Sequence, residues 1–161
     1  MQLHFRPLLP TDQSLLWHWL HVALWDPPPA PPRPLSVLEH PGVRIYAEAW
    51  GQPSDVGVVA VVDGTDAGAC WMRLITGGQG LAYVDDQTPQ LGIALDPAYQ
   101  HRGFGKPLMR TALQAARARG YGQVSLTVHP ENPAIALYEA CGFTKQGLRG
   151  TYHLMVAKQA A

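Results

Sequence analysis

Charge and sulfur are scarce in this chain. Only 15% of its 161 residues are charged, 12 basic residues cancel 12 acidic ones, and no basic run exists that would track a nucleic-acid backbone. Nucleic acid is therefore not expected as a partner. The two cysteines, Cys70 and Cys141, lie far apart without C-x-x-C spacing, so no disulfide framework or cysteine metal site is expected. Both sit in apolar contexts that predict buried free thiols. The longest apolar stretch, residues 15–25, is broken by His18 and His21 and falls short of the roughly 20 residues that a bilayer span needs. No membrane association is expected. His4 and Arg6 stand near the start without a continuous apolar segment, which does not read as a secretory signal, and a cytoplasmic location is expected. His18 and His21 share a helix face but have no third ligand in sight, so no metal is predicted.

What the chain does have is apolar bulk and residues of special backbone geometry: 47% hydrophobic, 16 Gly and 15 Pro. That length and apolar share suffice for one domain over residues 1–161 with a sizeable core. Residues 3–9 read as a first strand, followed by a helix to about Trp25, capped by Thr11 or Asp12 and burying Leu16, Trp19, Leu20 and Ala23. Prolines between 27 and 34 force an extended loop. The spacing of Val43, Tyr46, Ala47 and Trp50 predicts a second helix ending at Gly51. Residues 56–62 and 67–75 are β-rich and joined by Asp63-Gly64-Thr65-Asp66, a hairpin signal.

A turn at 76–80 precedes a strand at 90–95. A helix from about Lys106 follows, with Leu108, Met109, Ala112, Leu113 and Ala116 on one stripe and its end at Gly120. Residues 123–128 form a further strand, a last helix follows Asn132, and 144–147 and 151–156 are the closing strands. Strand, helix, strand crossovers join parallel neighbours, so the expected class is α/β, a mixed sheet with helices on its faces.

Between the strand at 91–95 and the following helix lies Gln100-His101-Arg102-Gly103-Phe104-Gly105. A glycine turn feeding a helix leaves backbone N–H groups without carbonyl partners at the positive end of the helix dipole, which suits an anion such as a pyrophosphate. It is not a P-loop, because Gln100 stands where the first Gly belongs and Pro107 where the Ser or Thr must hold magnesium. Nor is it a dinucleotide fingerprint: Leu108 replaces the third Gly, and no acidic residue ends a second strand about 20 positions on. A nucleotide-binding regulatory domain therefore ranks last.

The remaining pattern, Q-x-x-G-x-G at Gln100, Gly103 and Gly105, resembles the acetyl-CoA signature of the GNAT superfamily of N-acetyltransferases. Downstream, Asn132, Ala134, Leu137, Tyr138, Glu139, Gly142 and Phe143 match the family's N-x-A-x-x-L-Y-E-x-x-G-F pattern, and the resemblance is strong over residues 91–143. It implies the GNAT acyl-CoA N-acyltransferase fold, a splayed central sheet flanked by helices, with acetyl-CoA as co-substrate. By the same resemblance Ile93, Ala94 and Leu95 would pair with the pantetheine arm. Gln100, His101, Arg102, Gly103, Phe104, Gly105 and Lys106 would surround the pyrophosphate. Asn132 reads either as a helix N-cap before Pro133 or as an amide reaching the pantetheine, and the two are compatible. Tyr138 reads as core by its helix face and, through the family, as the general acid that protonates the departing thiolate.

The implied activity is direct transfer of acetyl from the thioester to a primary amine of a small molecule or peptide. The family's general base has no counterpart: Thr127 and Gln90 stand where many members carry Glu. Asp85, Asp86, Glu131 and His129 lie in reach but read as solvated loop residues, and no base is assigned. Trp17, Trp19 and Trp25 lie where the family forms its acceptor wall, although large aromatics ordinarily bury, which favours a core with one exposed ring. Acceptor identity rests in loops 25–34, 85–89 and 149–153. The rival class is a non-catalytic acyl-CoA-binding or regulatory module, favoured by the missing Glu residues and opposed by Tyr138. Homodimerisation is compatible with the resemblance.

Overall fold

The computed structural model describes residues 1–159. The elements run β1 (Leu3–Pro7), α1 (Gln13–Ala23), α2 (Pro41–Arg44), β2 (Val56–Val62), β3 (Thr65–Arg73), β4 (Gln90–Leu95), α3 (Gly105–Ala118), β5 (Gln123–Val128), α4 (Ile135–Ala140), β6 (Phe143–Arg149) and β7 (Tyr152–Lys158). They build one seven-stranded mixed α/β sheet in the order β1-β2-β3-β4-β5-β7-β6, with β4 and β5 parallel and every other neighbour antiparallel.

Side chains of a strand alternate between faces, and β2 shows both faces covered. Val58 and Ala60 join Cys70, Met72, Leu126 and the buried stripe of α3, while Val59 and Val61 join Trp71 and Ala94 beneath Leu16, Trp19 and Leu20 of α1. The stripe on α3 is the one expected from its spacing: Leu108, Met109, Ala112, Leu113 and Ala116 are all buried.

Several boundaries differ from the sequence expectation, each for a physical reason. The first strand stops at Pro7, and a 3-10 turn over Pro10–Asp12 leads into α1. Asp12 sits at the N-cap of α1 but its carboxylate does not cap, because the Arg6 guanidinium at 2.8 Å and the Leu9 N–H hold it. The helix ends at Ala23, before Trp25, as Leu24 turns extended.

The expected second helix shrinks to the single turn of α2. The buried Arg73 guanidinium donates to the carbonyls of Ile45, Glu48 and Ala49 while paired with Asp55 at 2.8 Å, which draws those carbonyls out of a helical ladder. Ala47 and Trp50 still bury as their spacing indicated. The hairpin is tighter than expected: Asp63 and Gly64 take φ of 48° and 81°, Val62 pairs with Thr65, and β3 starts there. Both closing strands are longer than predicted. Cys70 is fully buried as a free thiol, but Cys141, at the end of α4, is only half-buried, correcting the expectation of two buried thiols.

Candidate functional site

The site begins where the sheet comes apart. β4 pairs with β3 along its whole length, yet meets β5 only at Gln90 opposite Ser125, after which β5 continues against β7 alone. The junction is pinned on both sides. The Ser125 hydroxyl donates to the Ala82 carbonyl at 2.6 Å, and its N–H donates to the Pro89 carbonyl at 3.0 Å. From Leu91 onward the β5 side of β4 has no strand partner, so backbone groups of a central strand open into a cleft rather than a ladder.

At the far end of β4 the chain forms the glycine loop. Gln100 Nε2 donates to the Leu95 carbonyl at 2.8 Å and ties the loop to its strand. His101 and Gly103 take φ of 60° and 85°, Phe104 returns to right-handed geometry, and its ring buries against Val62 and Ala67. A Cβ on Gly103 would meet nothing, so glycine is needed there for the angle and not for space. At Gly105 the reverse holds: a Cβ would stand 3.1 Å from a Leu137 methyl. The first helical bond of α3 runs from Leu108 N to the Phe104 carbonyl, so the N–H groups of Gly103, Phe104, Gly105 and Lys106 have no backbone acceptor among the described residues. Successive left- and right-handed residues with free N–H groups at a helix start form an anion-binding concavity.

A cavity of about 430 Å³ joins this loop to the open edge of β4. Ile93, Ala94, Leu95, Gln100, His101, Gly103, Phe104, Gly105, Lys106, Asn132 and Tyr138 all line it, brought together from positions up to 45 residues apart. Arg102 does not line it. Its guanidinium lies over the Phe104 ring at 5.2 Å and the Tyr99 ring at 5.7 Å and donates to the Ala98 carbonyl, bracing the loop from behind. Asn132 Oδ1 accepts from Ala134 N–H at 2.9 Å, closing a turn just before α4, so the helix starts later than an N-cap at Asn132 would place it. Val22, Ala23 and Leu137, none of them read as a site residue from the sequence, also line the wall.

Tyr138 and Ala23 also line a second cavity of about 260 Å³ and a third of about 130 Å³ in the cleft between β4 and β5. Tyr138 is 8% exposed, packs edge-on against Phe143, and burial pushes its phenol well above the ordinary range. Its hydroxyl makes no hydrogen bond among the described residues and is not itself a buried atom, so it opens onto cavity space. A neutral phenol therefore stands where the cavities meet.

Arg33, Tyr46, His129, Trp25 and Tyr152 surround the second cavity. Of the three tryptophans placed at the acceptor wall, Trp17, Trp19 and Trp25, Trp19 is core, Trp17 packs against the core with Arg44 over its ring, and Trp25 alone lines the cavities. The proline loop is strapped in place by Arg33, which pairs with Asp26 through Nε and Nη2 at 2.8 and 2.9 Å; its carbonyl accepts from His21 Nε2 at 2.6 Å. The Arg33 guanidinium holds the Asp26 carboxyl below the usual range. Nothing singled out Arg33, although an Asp and an Arg bracketing a proline run could have been read as a clamp.

No Asp or Glu lines any of these three cavities among the described residues. Asp85 accepts from Gln87 N–H and the Thr88 hydroxyl, and Asp86 accepts from Gly77 N–H and the Tyr83 hydroxyl, so both are loop caps. Glu131 is exposed. His129 lines the second cavity, and its Nδ1 accepts from Glu131 N–H, which places the proton of the neutral ring on Nε2. Gln90 is fully buried: its Oε1 accepts from the Tyr46 hydroxyl and its Nε2 donates to the Gln79 carbonyl. His18 pairs with Asp96 at 2.6 Å, so the two helix histidines diverge. No group of three His, Cys, Asp or Glu among the described residues could hold a metal, and no helix there is long and apolar enough to cross a membrane.

The sequence is 35% identical over 124 residues to a mycothiol acetyltransferase of Beutenbergia cavernae, covering 76% of this chain and 39% of that protein. It is 47% identical over 62 residues to N-alpha-acetyltransferase RimI of Mycobacterium tuberculosis, covering 38% of this chain and 37% of that one. The chain thus spans about a quarter to a half of the length of the curated relatives it matches. Among solved structures, the PaiA N-acetyltransferase from Thermoplasma acidophilum in complex with coenzyme A superposes with a TM-score of 0.68 at 17% identity, covering 99% of this chain and 100% of that one. An aminoglycoside acetyltransferase AAC(6')-Ib in complex with coenzyme A gives 0.65 at 20% identity over 98% and 95%. At such identities the superpositions speak to the fold, which is the splayed sheet described above. The pattern of the Acetyltransferase (GNAT) family matches residues 17–143, and the chain belongs to that family.

Proposed function

We propose that this protein is an acetyl-CoA-dependent N-acetyltransferase acting on a primary amine of a small molecule or peptide. The observation that carries this reading is Tyr138, a buried residue whose unpartnered hydroxyl is open to the cavities it lines, the loop-side one and the acceptor-side one. The free N–H groups of Gly103 to Lys106 suit the pyrophosphate of CoA, and the unpaired edge at Ile93, Ala94 and Leu95 suits the amides of its pantetheine arm. Asn132 adds an amide on the opposite wall.

Bound there, acetyl-CoA supplies an activated acyl group. The chain's own residues orient it, exclude water and manage one proton. As the amine nitrogen bonds to the acyl carbon and the carbon–sulfur bond breaks, the Tyr138 Oη proton passes to the sulfur; the proton lost by the nitrogen leaves to solvent, and one proton from solvent restores the Tyr138 hydroxyl. A phenol kept neutral by burial holds that proton throughout the physiological range. The amine must arrive neutral without help from a cavity-lining carboxylate, and that gap favours the second reading, a module that binds acyl-CoA without turnover.

The relatives' names include acetyltransferases of mycothiol and of ribosomal protein bS18 alanine, so both small-molecule and peptide acceptors belong in a screen. On this reading the protein acts in the cytoplasm. Sheet-to-sheet pairing of two copies would add to the outer edge of β6, exposed from Thr144 to Leu148, and light scattering tests it. The experiment that tests the main reading is calorimetric titration with acetyl-CoA, with ATP and NAD as controls. Saturable binding of acetyl-CoA alone supports it; no binding of acetyl-CoA overturns it.

A further inference from the structure

We infer that the acceptor amine is carried on a molecule with an oxyanion at its other end, read by Arg33, and that polycationic amines are poor substrates. This inference rests on the acetyltransferase reading above and narrows its substrate. Arg33, Tyr152 and His129 each bring to the second cavity a hydrogen-bond donor without a protein acceptor among the described residues. Arg33 uses Nε and Nη2 on Asp26, and Nη2 also on the Tyr152 hydroxyl at 3.2 Å, leaving both N–H bonds of Nη1 unused among the described residues. The Tyr152 hydroxyl accepts that bond, and its own proton has no acceptor among them. His129 Nδ1 is occupied by the Glu131 N–H, so Nε2–H is the ring's remaining donor.

The cavity offers no carboxylate to a cation among the described residues. Among the described residues Arg33 is its only lining side chain with a permanent charge; Thr127, Asn132 and His129 are polar, and the rest of the wall is aromatic or aliphatic, Trp25, Tyr46, Val43 and Leu20 among it. A second ammonium on the acceptor would face a guanidinium and donors, with no carboxylate to receive it. A carboxylate or phosphate would accept from Arg33 Nη1 and the two neighbouring donors, the geometry in which charge-assisted bonds discriminate strongly. Arg33 is fixed for this role, since Asp26 holds its fork and His21 holds its carbonyl.

The test compares amines that share one ring and differ at the far end. 4-(Aminomethyl)benzoate and its phosphonate analogue stand for the two oxyanions, 4-(aminomethyl)benzamide for a neutral group, and 1,4-bis(aminomethyl)benzene for a second cation. With acetyl-CoA, kcat/KM for at least one oxyanion substrate should exceed that of the amide by about tenfold or more, with the diamine lowest. Whichever oxyanion leads identifies its source. In Arg33→Gln the preference should collapse while the acetyl-CoA affinity stays within about twofold; Arg33→Lys should restore part of it. A diamine equal to or better than the acids, or an unchanged order in Arg33→Gln, overturns the inference.

Titration of the wild-type chain with benzoate against benzylamine gives a readout without turnover. If acetyl-CoA binds and no amine reacts, benzoate binding lost in Arg33→Gln still supports the oxyanion site, whereas failure of acetyl-CoA to bind strikes the acetyltransferase reading instead. Absence of benzoate binding together with absence of any oxyanion preference removes the site.

Discussion

The Tyr46 hydroxyl donates to the Gln90 side-chain carbonyl at 2.5 Å, at the residue where β4 last touches β5. Gln90 completes the arrangement by donating to the Gln79 carbonyl at 2.9 Å. A carboxylate cannot make that second bond. The position at which relatives of the family commonly carry Glu is here a neutral tie between the splay point and the loop before β4.

Gln90→Glu is therefore expected to destabilise the protein by about 2 kcal/mol or more at neutral pH, from the lost donor and the buried charge. Burial would raise the folded-state pKa of the new carboxyl above its unfolded value near 4.3. Between the two values the folded state then holds the extra proton, so stability falls as pH rises. Thermal melts from pH 4 to 8 check this, and a variant equally stable across that range would contradict it.

Tyr138→Phe removes only the unpartnered hydroxyl and keeps the ring against Phe143. Turnover should fall at least about tenfold with acetyl-CoA affinity nearly unchanged, because the lost interaction acts in the transition state. An unaffected rate takes Tyr138 out of the mechanism. No detectable turnover in either protein, with acetyl-CoA still bound, favours the non-catalytic module.

Gly103→Ala tests the loop without adding a clash, since its Cβ would meet nothing. Holding alanine at a φ of 85° costs about 1 kcal/mol or more, which the loop can relieve only by turning its N–H groups away. Acetyl-CoA affinity should drop about fivefold or more by calorimetry. Unchanged affinity would remove these N–H groups from the binding site.

Asp12 links the first strand to α1, and its bond from the Arg6 guanidinium holds its carboxyl below the usual range. Its contribution is full above the unfolded pKa near 3.9 and fades as pH falls through the depressed folded value. Asp12→Asn should lower stability by about 1 kcal/mol at pH 7 and soften the further loss in acid below about pH 4. Denaturant titrations at pH 7 and pH 3 measure both, and an identical difference at the two pH values would exclude this linkage.

Local pattern was enough for much of the molecule. The stripe on α3, the hairpin at Asp63-Gly64 and the glycine loop are set by residues within a few positions of one another, where periodicity and allowed φ act directly. It failed where a distant side chain intervened. Residues 43–51 have helical spacing, but Arg73 takes three of their carbonyls. Asp12 stands at an N-cap, but Arg6 takes its carboxylate.

The sequence by itself determined the order of elements, the phosphate-suited loop and the family resemblance, because each is written in contiguous residues. Only the tertiary structure decided that β4 and β5 part after one pair, that Arg102 braces the loop from outside the cavity, and that Arg33, Tyr152 and His129 converge beside Tyr138. Those relations join residues up to 119 positions apart, as Arg33 and Tyr152 are, and depend on strand order and packing, which no local spacing encodes.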